Sequence, residues 1–183
     1  MGTGQTLITI LALALLSLAV LNINRSLSSH DVSLAQNRYR LEALSIATSY
    51  IEQASQYYFD EAVADSNNTE KTNPNTFSSA LGLDPDDTTM IGQMEIDDFD
   101  DYNGITRIDT GRSSVVYRVS FKVEYVDLSG SKVVPVTYKT FHKRMTVFVT
   151  DVYDPPLIYR ETARGKVRDT VKISFIYSYW FYN

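Results

Sequence analysis

The sequence predicts an α+β protein in which a long N-terminal helix, membrane-spanning in its first part, precedes an antiparallel β-sheet domain. Three observations carry this. Residues 7–21 read LITILALALLSLAVL, interrupted only by Thr9 and Ser17. No Gly or Pro occurs between Gly4 and Pro74, so nothing in that stretch forces a helix to end. Beyond residue 112 the apolar period becomes two, placing Val115, Tyr117, Val119, Phe121, Val123 and Tyr125 on one strand face.

Taking the elements in order, residues 1–4 form a short leader and 5–23 a helix that would rise about 28 Å, enough to span a bilayer core. A secretory signal peptide needs a basic start and a small-x-small cleavage site, and this segment has neither. A retained anchor is therefore expected. Residues 24–64 continue as an amphipathic helix with a stripe of Leu34, Leu41, Leu44, Thr48, Ile51, Ser55, Tyr58 and Ala62. The Asn-, Ser- and His-bearing stretch 22–33 is weaker and leaves two separate helices as the alternative. Residues 65–112 are rich in turn formers and read as loop, with Asn73-Pro74-Asn75 and Asp84-Pro85-Asp86 as markers. The β domain, 113–183, begins with a strand over 113–126, a turn at 127–131 and a returning strand over 133–138, where Pro135 points to an edge or bulge. Strands at 143–149 and 171–182 complete a meander.

Composition excludes several function classes. A net charge of −5 without clustered Lys or Arg gives no footprint for nucleic acid. The absence of cysteine removes disulfides, Cys-ligated metals and thiol nucleophiles. The two histidines, His30 and His142, lie far apart and read as surface or capped residues, and no phosphate loop, dinucleotide fingerprint or nucleophile elbow is present. Enzymatic function is not expected.

The N-terminal residues are more specific. Gly4-Gln5-Thr6-Leu7-Ile8-Thr9, followed by an apolar helix, resembles the start of type IV pilins and type II secretion pseudopilins. In that family a short leader ends in Gly, a prepilin peptidase cuts after it, and Phe-Thr-Leu-Ile-Glu follows. The resemblance implies processing between Gly4 and Gln5, with Thr6, Leu7 and Ile8 matching the motif directly. Gln5 replaces the usual Phe, and Thr9 stands where the family has a Glu that neutralises a neighbouring subunit's terminal ammonium. The resemblance further implies a filament subunit with other pilin-like subunits as partners, held in the inner membrane before assembly and then displayed at the cell surface or in an extracellular filament. Loss of the Glu favours a minor or tip position. The strand KRMTVFV (143–149) is similar to a late strand of pilin-like proteins. Arg25, Arg38 and Arg40 all follow the apolar segment, and charge alone would orient it the other way. The rival function is a single-pass anchored, extracytoplasmic β-rich binding protein that does not polymerise.

Two further clusters stand out. Glu95, Asp97, Asp98, Asp100, Asp101 and Asn103 lie between Gly92 and Gly104, and such oxygen donors could form a Ca²⁺ cage, with Asp97, Asp98, Asp100, Asp101 and Asn103 as ligands. EF-hand spacing fails, because counting back from Gly104 puts Phe99 at the first ligand place. A solvated acidic loop is the plain reading. The terminal strand carries Phe175, Tyr177, Tyr179 and Phe181 on one face and Ile176, Trp180 and Tyr182 on the other. That pattern suits either a strand wholly buried in its own sheet or a subunit contact through Phe175, Tyr177, Tyr179 and Trp180, alongside Leu7, Leu11, Leu15 and Leu18 of the helix. Asn24-Arg25-Ser26 and Asn67-Asn68-Thr69 match the weak glycosylation pattern.

Overall fold

The computed structural model describes residues 2–64, 71–83 and 96–180. The chain divides into two units, one up to Tyr39 and one from Arg40 onward. Expectations on Glu95, Phe181, Tyr182, Asn67-Asn68-Thr69 and Asp84-Pro85-Asp86 lie outside the described residues.

Helix α1 runs Thr3–Ala54 without interruption, so the alternative of two helices is not realised. In the first unit every residue from Gly2 to Ala35 is exposed. The polar side chains of the apolar stretch turn back onto their own helix. Thr9 Oγ1 donates to the carbonyls of Gln5 (2.8 Å) and Thr6 (3.0 Å), and Ser17 Oγ to that of Leu13 (2.9 Å). Hydroxyls satisfied in this way tolerate an environment without water. The helix is long and apolar enough to cross a membrane.

In the second unit the buried face of α1 is Ala43, Ala47, Ile51 and Ala54. This corrects the predicted stripe. Of its members only Ile51 is buried on α1, while Leu34, Leu41 and Leu44 are exposed. Alanines occupy the packed face because small side chains let a helix lie close against its neighbours. Tyr50 supplies the bulk, meeting Phe121 edge-on at 5.0 Å between ring centroids. After Ala54 the last turn tightens and the chain passes through a short helix α2 (Glu61–Ala64).

The sheet is antiparallel and contains β1 (Thr106–Thr110), β2 (Val116–Asp127), β3 (Val134–Pro135), β4 (His142–Asp151) and β7 (Val171–Ser178). Its order is β1-β2-β4-β7, with β3 paired to the end of β2. The alternation predicted for β2 is realised in full: Val115, Tyr117, Val119, Phe121, Val123 and Tyr125 are all buried. The strand that returns along β2 is β4, not residues 133–138, of which only Val134 and Pro135 pair. Pro135, lacking an N–H, ends up in a two-residue edge ladder as its chemistry predicts. A separate hairpin of β5 (Tyr159–Thr162) and β6 (Gly165–Arg168) was not expected from the sequence, and β1 falls inside the stretch read as loop.

Side chains on α1 hold the start of β2 and the β5–β6 region. Glu42 accepts from the Ser113 N–H (3.1 Å) and hydroxyl (2.5 Å) and from the Tyr117 hydroxyl (3.2 Å). A Cβ at Gly111 would sit 2.6 Å from Glu42 Oε2 and 2.8 Å from the Tyr117 ring, so a side chain there would have to displace one of them. Arg40 donates to the Tyr159 carbonyl (2.9 Å) and to Asp169 (2.7 Å). Asp151, buried at the end of β4, accepts the N–H groups of Tyr153, Leu157 and Ile158 and so holds the following loop.

Candidate functional site

Strand β4 sends Lys143, Met145, Val147, Val149 and Asp151 inward. A period-two line of core residues that begins with a lysine requires a buried partner for its charge. Phe59 and Asp60 supply it from the turn before α2, and Asp100 from a 3-10 turn at Asp100–Tyr102. Lys143 Nζ donates to the Phe59 carbonyl at 2.8 Å and to Asp60 Oδ2 at 2.6 Å, and it contacts Asp100 Oδ1. The ammonium also lies 4.7 Å from the Phe59 ring centroid and 5.4 Å from that of Tyr125. Lys143 and Asp60 are fully buried, and Asp98, Asp100 and Asp101 nearly so.

Each carboxyl has a distinct setting. Asp60 is braced by N–H donors from Ser78 (2.9 Å) and Ala62 (3.1 Å), with the Tyr125 hydroxyl 3.1 Å away. Burial pushes its pKa up, but attraction to Lys143 and these hydrogen bonds outweigh it and hold the group below the usual carboxylate range. Asp98 Oδ1 accepts the N–H groups of Asp100 (2.7 Å) and Asp101 (3.0 Å). Asp101 Oδ2 accepts those of Asp97 (3.0 Å) and Asp98 (3.2 Å). Burial, joined by the charge of Asp100, pushes Asp98 up to about 8, and burial also raises Asp100 against the pull of Lys143. Tyr125 is raised by burial and then by Asp60.

Both sequence readings of the acidic segment are thereby corrected. It is not a solvated loop, because Asp98, Asp100 and Asp101 are 2% exposed. Nor does it form the Ca²⁺ cage. Asp98 and Asp101 face backbone N–H groups, Asp100 faces Lys143, and Asn103 spends its amide on the Leu81 carbonyl (2.9 Å) and the Val123 N–H (2.9 Å). Donors already occupied by N–H groups and an ammonium do not converge on a cation. Among the described residues no group of three or more acidic or histidine side chains could hold a metal.

The terminal aromatic residues divide. Tyr177 and Tyr179 pack inward on Phe59, Tyr179 also on Phe77 and Phe141. Phe175 is half-buried, and Trp180 is 71% exposed. Among the described residues strand β7 pairs only with β4 and so lies at an edge of the sheet, and its residues are half-buried or exposed, so the reading of a strand wholly buried in its sheet does not hold. Leu7, Leu11, Leu15 and Leu18 are exposed, and Gly4 and Gln5 lie within the first turns of α1. His142 pairs with Ser178 at 2.8 Å, its pKa lowered by burial. Lys143 and Asp60 were missed in the sequence; the available signal was the inward register of Lys143 in β4.

The raised Asp98 carboxyl sets a pH dependence. In the folded protein it keeps its proton where the unfolded chain has lost it, so its contribution is complete below about pH 4 and is lost as pH rises through about 8. Stability should fall between about pH 4 and about pH 8, by up to about 1.4 kcal/mol per pH unit for one proton, and level off above that. Chemical denaturation across this window should show a flatter profile for Asp98→Asn than for the parent chain, and equal slopes would refute the assignment.

Comparison of the chain with protein-family models, with curated proteins and with solved structures gives no match.

Proposed function

We propose that this chain is a structural subunit of a type IV pilus-like or pseudopilus filament, in a minor or tip position. It is anchored in the inner membrane by α1, cut after Gly4 by a prepilin peptidase, and then carried into a cell-surface or extracellular filament with other pilin-like subunits. The observation that carries this reading is a line of apolar residues spaced by seven along α1: Leu13, Val20, Leu27, Leu34 and Leu41, each about half or more exposed. Residues seven apart lie nearly on one helical face and form the seam of helix–helix packing. A bilayer accounts for the first two, Leu13 and Val20. Leu27, Leu34 and Leu41 lie beyond the span 5–23, and a non-polymerising anchor has no use for them. Neighbouring helices in a filament core would cover the whole line.

The Gly4-Gln5-Thr6-Leu7-Ile8 motif supplies the second support. Mass spectrometry of the native N-terminus should find Gln5 as the first residue. An intact Met1, or a cut near Asn22, would favour the single-pass anchored reading instead.

A further inference from the structure

The Lys143 cluster places a nucleophile, an electrophile and a proton carrier together where water does not reach. Lys143 Nζ touches the Asp100 carboxyl, and both side chains are buried. Asp98 lies on the far side of Asp100, joined to it by the Asp100 N–H (2.7 Å) and by a bond between the two carboxyl groups. The rings of Phe59 and Tyr125 flank the lysine. We propose that Lys143 and Asp100 condense, with Asp98 as proton carrier, into an intramolecular amide bond that ties β4 to the 3-10 turn preceding β1. This goes beyond the filament reading and does not depend on it.

The chemistry balances without any co-reactant. Proton transfer from the Lys143 ammonium to Asp100 leaves an amine and a carboxylic acid, removing two charges from a site of low dielectric. The Nζ lone pair attacks Asp100 Cγ, forming the C–N bond and a tetrahedral carbon. Asp98 donates its proton to the departing hydroxyl as the C–O bond breaks, and takes one back from the nitrogen. One amide forms and one water leaves, with no change in oxidation state. Exclusion of water opposes the reverse reaction.

The choice of Asp100 over Asp60 follows from their partners. Asp60 accepts from two backbone N–H groups and lies beside Lys143 and Tyr125, which stabilises the anion, and a carboxylate is a poor electrophile. Asp100 is raised instead, by burial and by the charge of Asp60, against the pull of Lys143 and of its bond to Asp98, and this favours its neutral form. Phe59, whose carbonyl accepts from Nζ, and Asp60 hold the amine in place on its other side.

The test is intact-mass spectrometry of the full-length chain, purified in detergent and then denatured, followed by tryptic mapping. The folded protein should be lighter than its formula by one water. A branched peptide should join residues 72–107 to 140–144, with trypsin failing to cut after Lys143. Lys143→Met and Asp100→Ala should run at full mass whether or not they fold. Asp98→Asn, followed from the start of refolding, should lose water about 100-fold more slowly. Full mass for the parent chain, or a branch at Asp60, would overturn the proposal. Water loss at an unchanged rate in Asp98→Asn would overturn the role given to Asp98.

Discussion

Measured against the parent chain before Lys143 and Asp100 condense, replacing Lys143 with methionine is expected to destabilise the second unit by about 3–5 kcal/mol, the cost of leaving buried carboxylates without their cation. Methionine fills much of the space of the lysine stem, so the loss is electrostatic rather than a cavity. Asp60, Asp98 and Asp100 would then face one another across a dry site. The sign of the pH response distinguishes this from loss of packing. The remaining carboxyls should bind protons in the folded variant at higher pH than in the unfolded chain, so the variant recovers stability as pH falls from neutral toward about 5. Denaturation of Lys143→Met at both pH values checks this. A deficit that is small, or equal at both, would show that the charge cluster is not what holds α2, the 3-10 turn and β4 together.

An all-or-none effect is expected at Gly4. The proposed processing would make it the last leader residue, and among the described residues no atom beyond its chain neighbours and its own helix backbone lies within 4 Å of a Cβ placed there. Gly4→Leu therefore should leave folding and membrane insertion intact. If a prepilin peptidase cuts at this junction, the variant should accumulate in the membrane as the uncut chain and be absent from filaments. Immunoblotting for the uncut and cut forms reads the outcome. Normal processing of Gly4→Leu would remove the motif as the basis of the functional reading.

How much of this was legible depended on which physical signal each element carries. Strand β2 was readable because one face is core and the other is not, which writes a period of two into the sequence. The amphipathic face of α1 was misread for a related reason. Hydrophobic pattern gives leucine more weight than alanine, yet the second unit packs on Ala43, Ala47 and Ala54 and leaves Leu41 and Leu44 outside. Leucines on the uncovered side are informative about what the chain lacks, not about its own core. Hairpin β5–β6 left no pattern, since β6 is exposed throughout and β5 is buried only at Tyr159. The acidic segment looked solvated because composition counts charges without seeing that Asp98 and Asp101 fold back on their own backbone. Lys143 could have been found from register alone, as a charged residue in line with Met145, Val147 and Val149.

The position of Thr9 bears on the place this chain would take in the proposed filament. Its hydroxyl is satisfied within α1 and offers no charge to a neighbour's terminal ammonium. An unpaired ion in hydrocarbon costs about 2.5–3.5 kcal/mol even on insertion scales, and a homopolymer would repeat it at every subunit. Shearing native filaments from cells, sedimenting them and counting subunits by mass spectrometry tests the central claim most directly. The account predicts this chain in the filament fraction, beginning at Gln5 and outnumbered by Glu-bearing subunits. Recovery only from membranes, as an unpolymerised chain with none in the filament fraction, would contradict it.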